Sequence, residues 1–166
     1  RHYFTVSEKT TRATALNITM KKAEISGEYS VNDFKIIGEY IFCCGIYKNS
    51  RGFIGYAKIT ELKTYDIFNF KVYNDFKDQS NYFLHYVKEL SKLVVYQYEN
   101  SLHVISIGKT IDESTTTNVY RACILAVVMS QDGISSDYKV GESSSLQETF
   151  KDIEVTPNYV VTVGSV

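Results

Sequence analysis

Nucleophile and metal-ligand chemistry in this chain would have to come from very few side chains. Cys43, Cys44 and Cys123 are its only thiols, and His2, His85 and His103 its only imidazoles. A zinc site calls for Cys-x-x-Cys or paired-histidine spacing, and neither occurs. No histidine lies near Cys43 or Cys123 in sequence, so a thiol–imidazole pair has no local support. The odd thiol count leaves at least one cysteine free in a single copy. Cys43 and Cys44 are adjacent on an expected strand, which sends their side chains to opposite faces. All three cysteines read as small buried hydrophobes. His85 and His103 are expected on neighbouring strands, where they could face each other as a metal pair. Half-buried strand histidines are the simpler reading.

Glycoside chemistry needs two carboxylates flanking a cleft. Asp33 and Asp152 are candidates, but they occupy matched places in two similar segments. Such recurrence reads as structure, with an aspartate bonding nearby backbone to fix a turn. Gly108-Lys109-Thr110 is similar to the end of a phosphate-binding loop, but the glycine required five residues earlier is His103, so a strand-end turn is expected. Ser130-Gln131-Asp132-Gly133 falls one residue short of an aspartate box and lacks its Trp. Asn17-Ile18-Thr19 is a glycosylation sequon only in a eukaryotic secretory setting. Catalytic, cofactor-binding and metal-binding sites are therefore all expected to be none.

The elements that would carry these residues are strands. The chain has 14 Tyr and 9 Phe but no Trp and one Pro, a composition suited to pleated, half-buried surfaces. Its 18 Lys and Arg against 19 Asp and Glu make no basic footprint, which argues against nucleic acid. The longest apolar run, from Ala122 to Met129, is far short of the roughly 20 residues of a spanning helix. Strands are expected at Glu39 to Tyr47, Gly52 to Ile59, Tyr65 to Tyr73, Leu102 to Gly108 and Val119 to Met129, with turns at Lys48 to Arg51 and Asp132-Gly133 and a loop at Ser143 to Ser145. Residues 83–98 are ambiguous. Phe83, Tyr86, Val87, Leu90, Leu93 and Val94 have helical spacing, yet Leu93 to Tyr96 is β-like, and two strands are favoured over a helix.

Two windows of 13 residues match: 33–45 (DFKIIGEYIFCCG) and 152–164 (DIEVTPNYVVTVG) share Asp, Tyr and Gly and five apolar places. A third, 99–108 (ENSLHVISIG), closes the same way. Each reads as a hairpin turning at Gly38-Glu39, Asn100-Ser101 or Pro157-Asn158. Four strands per ~40–60 residues is propeller-blade spacing. Residues 1–166 are thus expected to form one all-β domain of antiparallel, β-propeller-like units. It would hold about two full blades plus partial ones, as a fragment of a longer propeller.

The segments VNDFKIIGEYIFCCG, SRGFIGYAKI, LVVYQYENSLHVISIGKT and DIEVTPNYVVTVG resemble uncharacterised propeller-like surface or exported proteins of gut anaerobic bacteria, over most of residues 31–166. The resemblance implies a propeller-like fold and an exported location (periplasmic, outer surface or extracellular). It carries no functional residues, and the Trp-Asp and double-glycine signatures of better-known propellers are missing. The expected function is a non-catalytic binding or scaffold module for a protein or glycan ligand. Binding would occur where blade loops converge, such as Lys48 to Arg51 and Ser114 to Thr117. The alternatives are part of a carbohydrate-processing enzyme, with catalytic residues partly outside this chain, and a self-assembling structural protein.

Overall fold

The computed structural model describes residues 2–6, 21–61, 67–68, 71–74, 76, 85–113, 119–130, 133–146 and 148–166. Thirteen strands occur there: β1 (Tyr3–Val6), β2 (Lys21–Ile25), β3 (Tyr29–Ile37), β4 (Tyr40–Tyr47), β5 (Arg51–Lys58), β6 (Ile67–Phe68), β7 (Lys71–Tyr73), β8 (His85–Tyr98), β9 (Ser101–Asp112), β10 (Val119–Ser130), β11 (Gly133–Glu142), β12 (Thr149–Val155) and β13 (Val160–Ser165). A single 3₁₀ turn, Ile59–Glu61, follows β5, and no α-helix occurs among the described residues. None of these residues forms a helix long and apolar enough to cross a membrane.

The strands form four sheets: I (β1-β2-β6), II (β3-β4-β5-β7), III (β8-β9-β10-β11) and IV (β12-β13). All pairings are antiparallel except β2 with β6. Strand alternation gives each inner sheet two apolar faces, and these order the sheets as layers. Ile41, Cys43, Phe53 and Ala57 of sheet II meet Phe4 and Ile25 of sheet I. Phe42, Cys44, Ile54 and Tyr56, on the opposite face of sheet II, meet Leu90, Leu93, Val104, Cys123 and Leu125 of sheet III. Val94 and Ile107, on the far face of sheet III, meet Ile153 of sheet IV, with Ile105, Ile124, Phe150 and Val155 packed around them. Cys43 and Cys44 thus enter different cores, as adjacent strand residues must.

One local geometry occurs in sheets II, III and IV. Each first strand carries a bulge that adds one residue, Asn32 in β3, Ser91 in β8 or Lys151 in β12. Beside the bulge, Val31, Leu90 and Phe150 pair with Gly45, Gly108 and Gly164 of the second strand. The bulge drives a carbonyl onto that glycine: an added Cβ would lie 1.8 Å from Ser30 O, 1.9 Å from Glu89 O or 2.3 Å from Thr149 O. Only a residue without a side chain fits there.

Several expectations shift. The described residues of Tyr65 to Tyr73 fall in two sheets, β6 pairing with β2 and β7 with β5, and residues 65–66 and 69–70 lie outside the described residues. Residues 85–98 are one continuous strand, neither helix nor strand pair. The turn expected at Asn100-Ser101 is Glu99-Asn100, with Glu99 at φ 53° and Ser101 already paired to Tyr98. Gly108-Lys109-Thr110 lies inside β9 instead of at its end, and Thr110 is buried. His85 and His103 do not face each other: the register sets His85 opposite Asp112 and His103 opposite Tyr96. Asn17 to Thr19 and Ser114 to Thr117 lie outside the described residues.

Candidate binding groove

First strands begin and second strands end at one edge of the layers: Tyr29 pairs with Tyr47, and Thr149 with Ser165. Sheets II and III are joined there by side chains. The Arg51 guanidinium sits 3.2 Å from the centre of the Tyr86 ring, and Lys88 Nζ donates to Asn49 O at 2.7 Å. Tyr86 donates its hydroxyl to Glu113. The turn holding Lys48 to Arg51 therefore meets Tyr86 and Lys88 of β8, and Tyr86 in turn holds Glu113, just after β9. Burial, and then the bond to Glu113, raise the Tyr86 pKa, against the opposing charge of Arg51. Further along the edge Tyr29 and Tyr47 lie 4.8 Å apart, and Lys48 sits over the Tyr47 ring at 5.2 Å. The Lys48 pKa is raised, first by its hydrogen bond to Tyr47 and then by the Glu28 charge.

Between sheets III and IV this edge opens into a groove of about 350 Å³. Gly108 is among its lining residues. Glu89, Lys109, Tyr120 and Arg121 line one side, and Leu146 and Glu148 the other. The charges are mutually engaged. Lys109 Nζ lies 3.4 Å from Glu89 Oε2 and 5.1 Å from the centre of the Tyr120 ring. Asn32 Nδ2 donates to Glu89 Oε1 at 3.2 Å. Arg121 donates to Ser143 O at 3.2 Å and Ser144 O at 2.7 Å, while Ser143 donates its hydroxyl to Glu148. Tyr120 and Leu146 remain exposed, so the groove offers a ring face and an apolar patch beside a fixed cation. That suits stacking and hydrogen bonding of a small polar ring.

The sequence candidates lie elsewhere. Asp33 Oδ2 accepts from Leu93 N of the next sheet at 3.1 Å, instead of from its own turn, whereas Asp152 Oδ1 accepts from Ile153 N at 2.9 Å. Cys43, Cys44 and Cys123 are free and buried. Burial raises all three thiol pKa values, that of Cys44 to about 12. His103 stacks on Tyr96 at 5.1 Å, and Val31 N donates to His2 Nδ1 at 3.2 Å. No group of three metal-ligating side chains occurs among the described residues. The groove residues were missed because they come from β8, β9, β10 and the segment before β12. A glycine inside a strand, Gly108, was the one available pointer. Comparison with known protein families, curated proteins and solved structures gave no match to this chain.

Proposed function

We propose that this chain is a β-propeller-like binding module, exported to or displayed at a bacterial surface, that holds its ligand without transforming it. The bulge–glycine geometry at Gly45, Gly108 and Gly164, in successive layers, supports reading sheets II, III and IV as blades. The observation that carries the binding reading is the groove beside Gly108, at the edge where first strands begin. Both of its carboxylates are committed, Glu89 to Lys109 and Glu148 to Ser143, which favours holding over acid–base work. An exposed tyrosine ring beside a cation suits a sugar ring.

The test is a printed panel of oligosaccharides probed with the intact chain, alongside Tyr120→Ala and a panel of chromogenic glycosides. Binding that drops at least ~10-fold in Tyr120→Ala, with no glycoside turnover, supports the module. Turnover of any glycoside would favour the enzyme reading, and binding indifferent to Tyr120 would place the ligand elsewhere.

A further inference from the structure

The charges among the described lining residues of the groove cancel. Two carboxylates, Glu89 and Glu148, stand there with two cations, Lys109 and Arg121. Arg121 is held by the carbonyls of Ser143 and Ser144, and Glu148 by the Ser143 hydroxyl. The other pair stands beside the exposed ring. Lys109 Nζ lies 3.4 Å from Glu89 Oε2 and 5.1 Å from the centre of the Tyr120 ring. The Lys109 and Glu89 side chains are 46% and 29% exposed, so a ligand on the ring can reach the pair, and water screens it only in part.

Glu89 is fixed from outside its own sheet. Asn32, the residue added by the β3 bulge, donates from Nδ2 to Glu89 Oε1 at 3.2 Å and to Leu90 O at 2.9 Å. One carboxylate oxygen of Glu89 is thus committed to Asn32 and the other to Lys109. A ligand carboxylate drawn to Lys109 would have to share the ammonium with Glu89, with Glu148 on the opposite wall, and like charges so placed repel. A ligand hydroxyl meets no such penalty. It can donate to Glu89 and accept from Lys109 at once.

We infer that Glu89 is a specificity-determining residue, selecting an uncharged pyranose over the corresponding uronic acid, and that Asn32 is the positioning residue that keeps Glu89 on Lys109. The inference rests on the sugar-binding reading of the groove and goes beyond it by naming the class of sugar. The Tyr120 ring takes the apolar face of the pyranose, and the Glu89–Lys109 pair takes its hydroxyls. Selection works by exclusion: the cation beside the ring is already neutralised, so an acidic sugar gains no ion pair and meets a carboxylate.

The experiment compares neutral hexose oligosaccharides with the same chains oxidised at C6 to uronates, measured on the intact chain. The quantity read is the ratio of the uronate Kd to the neutral Kd. The wild-type ratio is expected at ~10 or more, with the neutral Kd nearly independent of salt. Glu89→Gln leaves Lys109 unpaired and is expected to bring the ratio to about 1 or below. Lys109→Gln is expected to raise the ratio, and Asn32→Ala to lower it part of the way. Damage to the fold would weaken both members of a pair together and leave the ratio where it was. A wild-type preference for uronates, or a ratio indifferent to Glu89→Gln, would overturn this inference and leave the sugar-binding reading standing. If Glu89→Gln misfolds, a ratio that fails to rise in Lys109→Gln overturns it instead. Absence of binding to any saccharide would overturn the reading of the groove and this inference with it.

Discussion

Replacing Gly108 with alanine tests the bulge–glycine geometry directly. The added Cβ would sit 1.9 Å from Glu89 O, while real Cβ contacts essentially never fall below 3.0 Å. The obstacle is backbone, so no side-chain rotation relieves it, and β8 must move from β9 by roughly 1 Å. Overpacking of this kind costs about 1–3 kcal/mol, and one or two weakened ladder hydrogen bonds add roughly 1 kcal/mol each. The sum, about 3 kcal/mol, is a large share of the ~5–15 kcal/mol that holds a domain together. Urea unfolding of Gly108→Ala should show a lower midpoint at an unchanged slope. The melting temperature should fall by roughly 6–12 °C. Gly45→Ala should behave alike, with its Cβ 1.8 Å from Ser30 O. Gly164→Ala should cost less, because its contact is 2.3 Å and the outer strands of sheet IV pack on one face only. Gly27→Ala, with nothing within 4 Å, is the control and should be neutral or slightly stabilising. If Gly108→Ala and Gly27→Ala unfold at the same midpoint, the close approach is not a constraint on the fold and the reasoning is refuted.

Asp33→Ala removes the acceptor of Leu93 N at a sheet-to-sheet contact and should cost about 1–3 kcal/mol in urea unfolding, while Asp152→Ala should change stability by no more than about 0.5 kcal/mol. Equal costs would contradict the different roles assigned to these matched aspartates. The three buried thiols should resist a thiol reagent at pH 8 in the folded chain and react fully once unfolded. Their folded pKa values are raised, so above about pH 8.5 the unfolded chain releases protons that the folded chain keeps. Stability is therefore full below that pH and falls as pH rises toward the folded values, and urea midpoints at pH 8 and 10 should differ in that direction. A double-mutant cycle of Arg51→Ala with Tyr86→Leu should give a coupling of about 0.5–2 kcal/mol, and additivity would mean the stacked pair contributes nothing.

Strand composition was open to sequence reading because tyrosine, phenylalanine and β-branched residues dominate and the turn residues are conventional. The residues around Gly45, Gly108 and Gly164 were visible as similar windows, though not the reason for the glycines. That reason is the bulge on the partner strand, and a bulge also explains the ambiguity at residues 83–98. In β8 extra residues fall between Val87 and Glu89 and between Leu90 and Lys92. They place Val87, Leu90, Leu93 and Val95 on one face at spacings of three, three and two, so an interrupted strand imitates a helix. The placing of β6 and β7 was hidden because these neighbouring short segments pair with strands of two different sheets, β2 and β5. The groove was hidden for a similar reason. Glu89, Lys109, Tyr120 and Glu148 come together through strand register and layer packing, and no spacing within the chain announces that meeting.

Separate apolar cores between successive sheets also bear on how the molecule comes apart. A fold with one shared core melts as a unit, whereas a stack held by nearest-neighbour contacts behaves like a short linear array with its own stability at each junction. Among the described residues, the junction between sheets III and IV rests on three buried residues, Val94, Ile107 and Ile153, against six between sheets I and II and thirteen in the core between sheets II and III. Sheet IV is therefore the element that opens first. In native-state hydrogen exchange its amides should be released through partial openings, while those of β4, β8 and β9 wait for global unfolding. Fraying then starts at the layer that exposes Val161 and Val163, and anything that covers those valines raises the barrier to the first opening step.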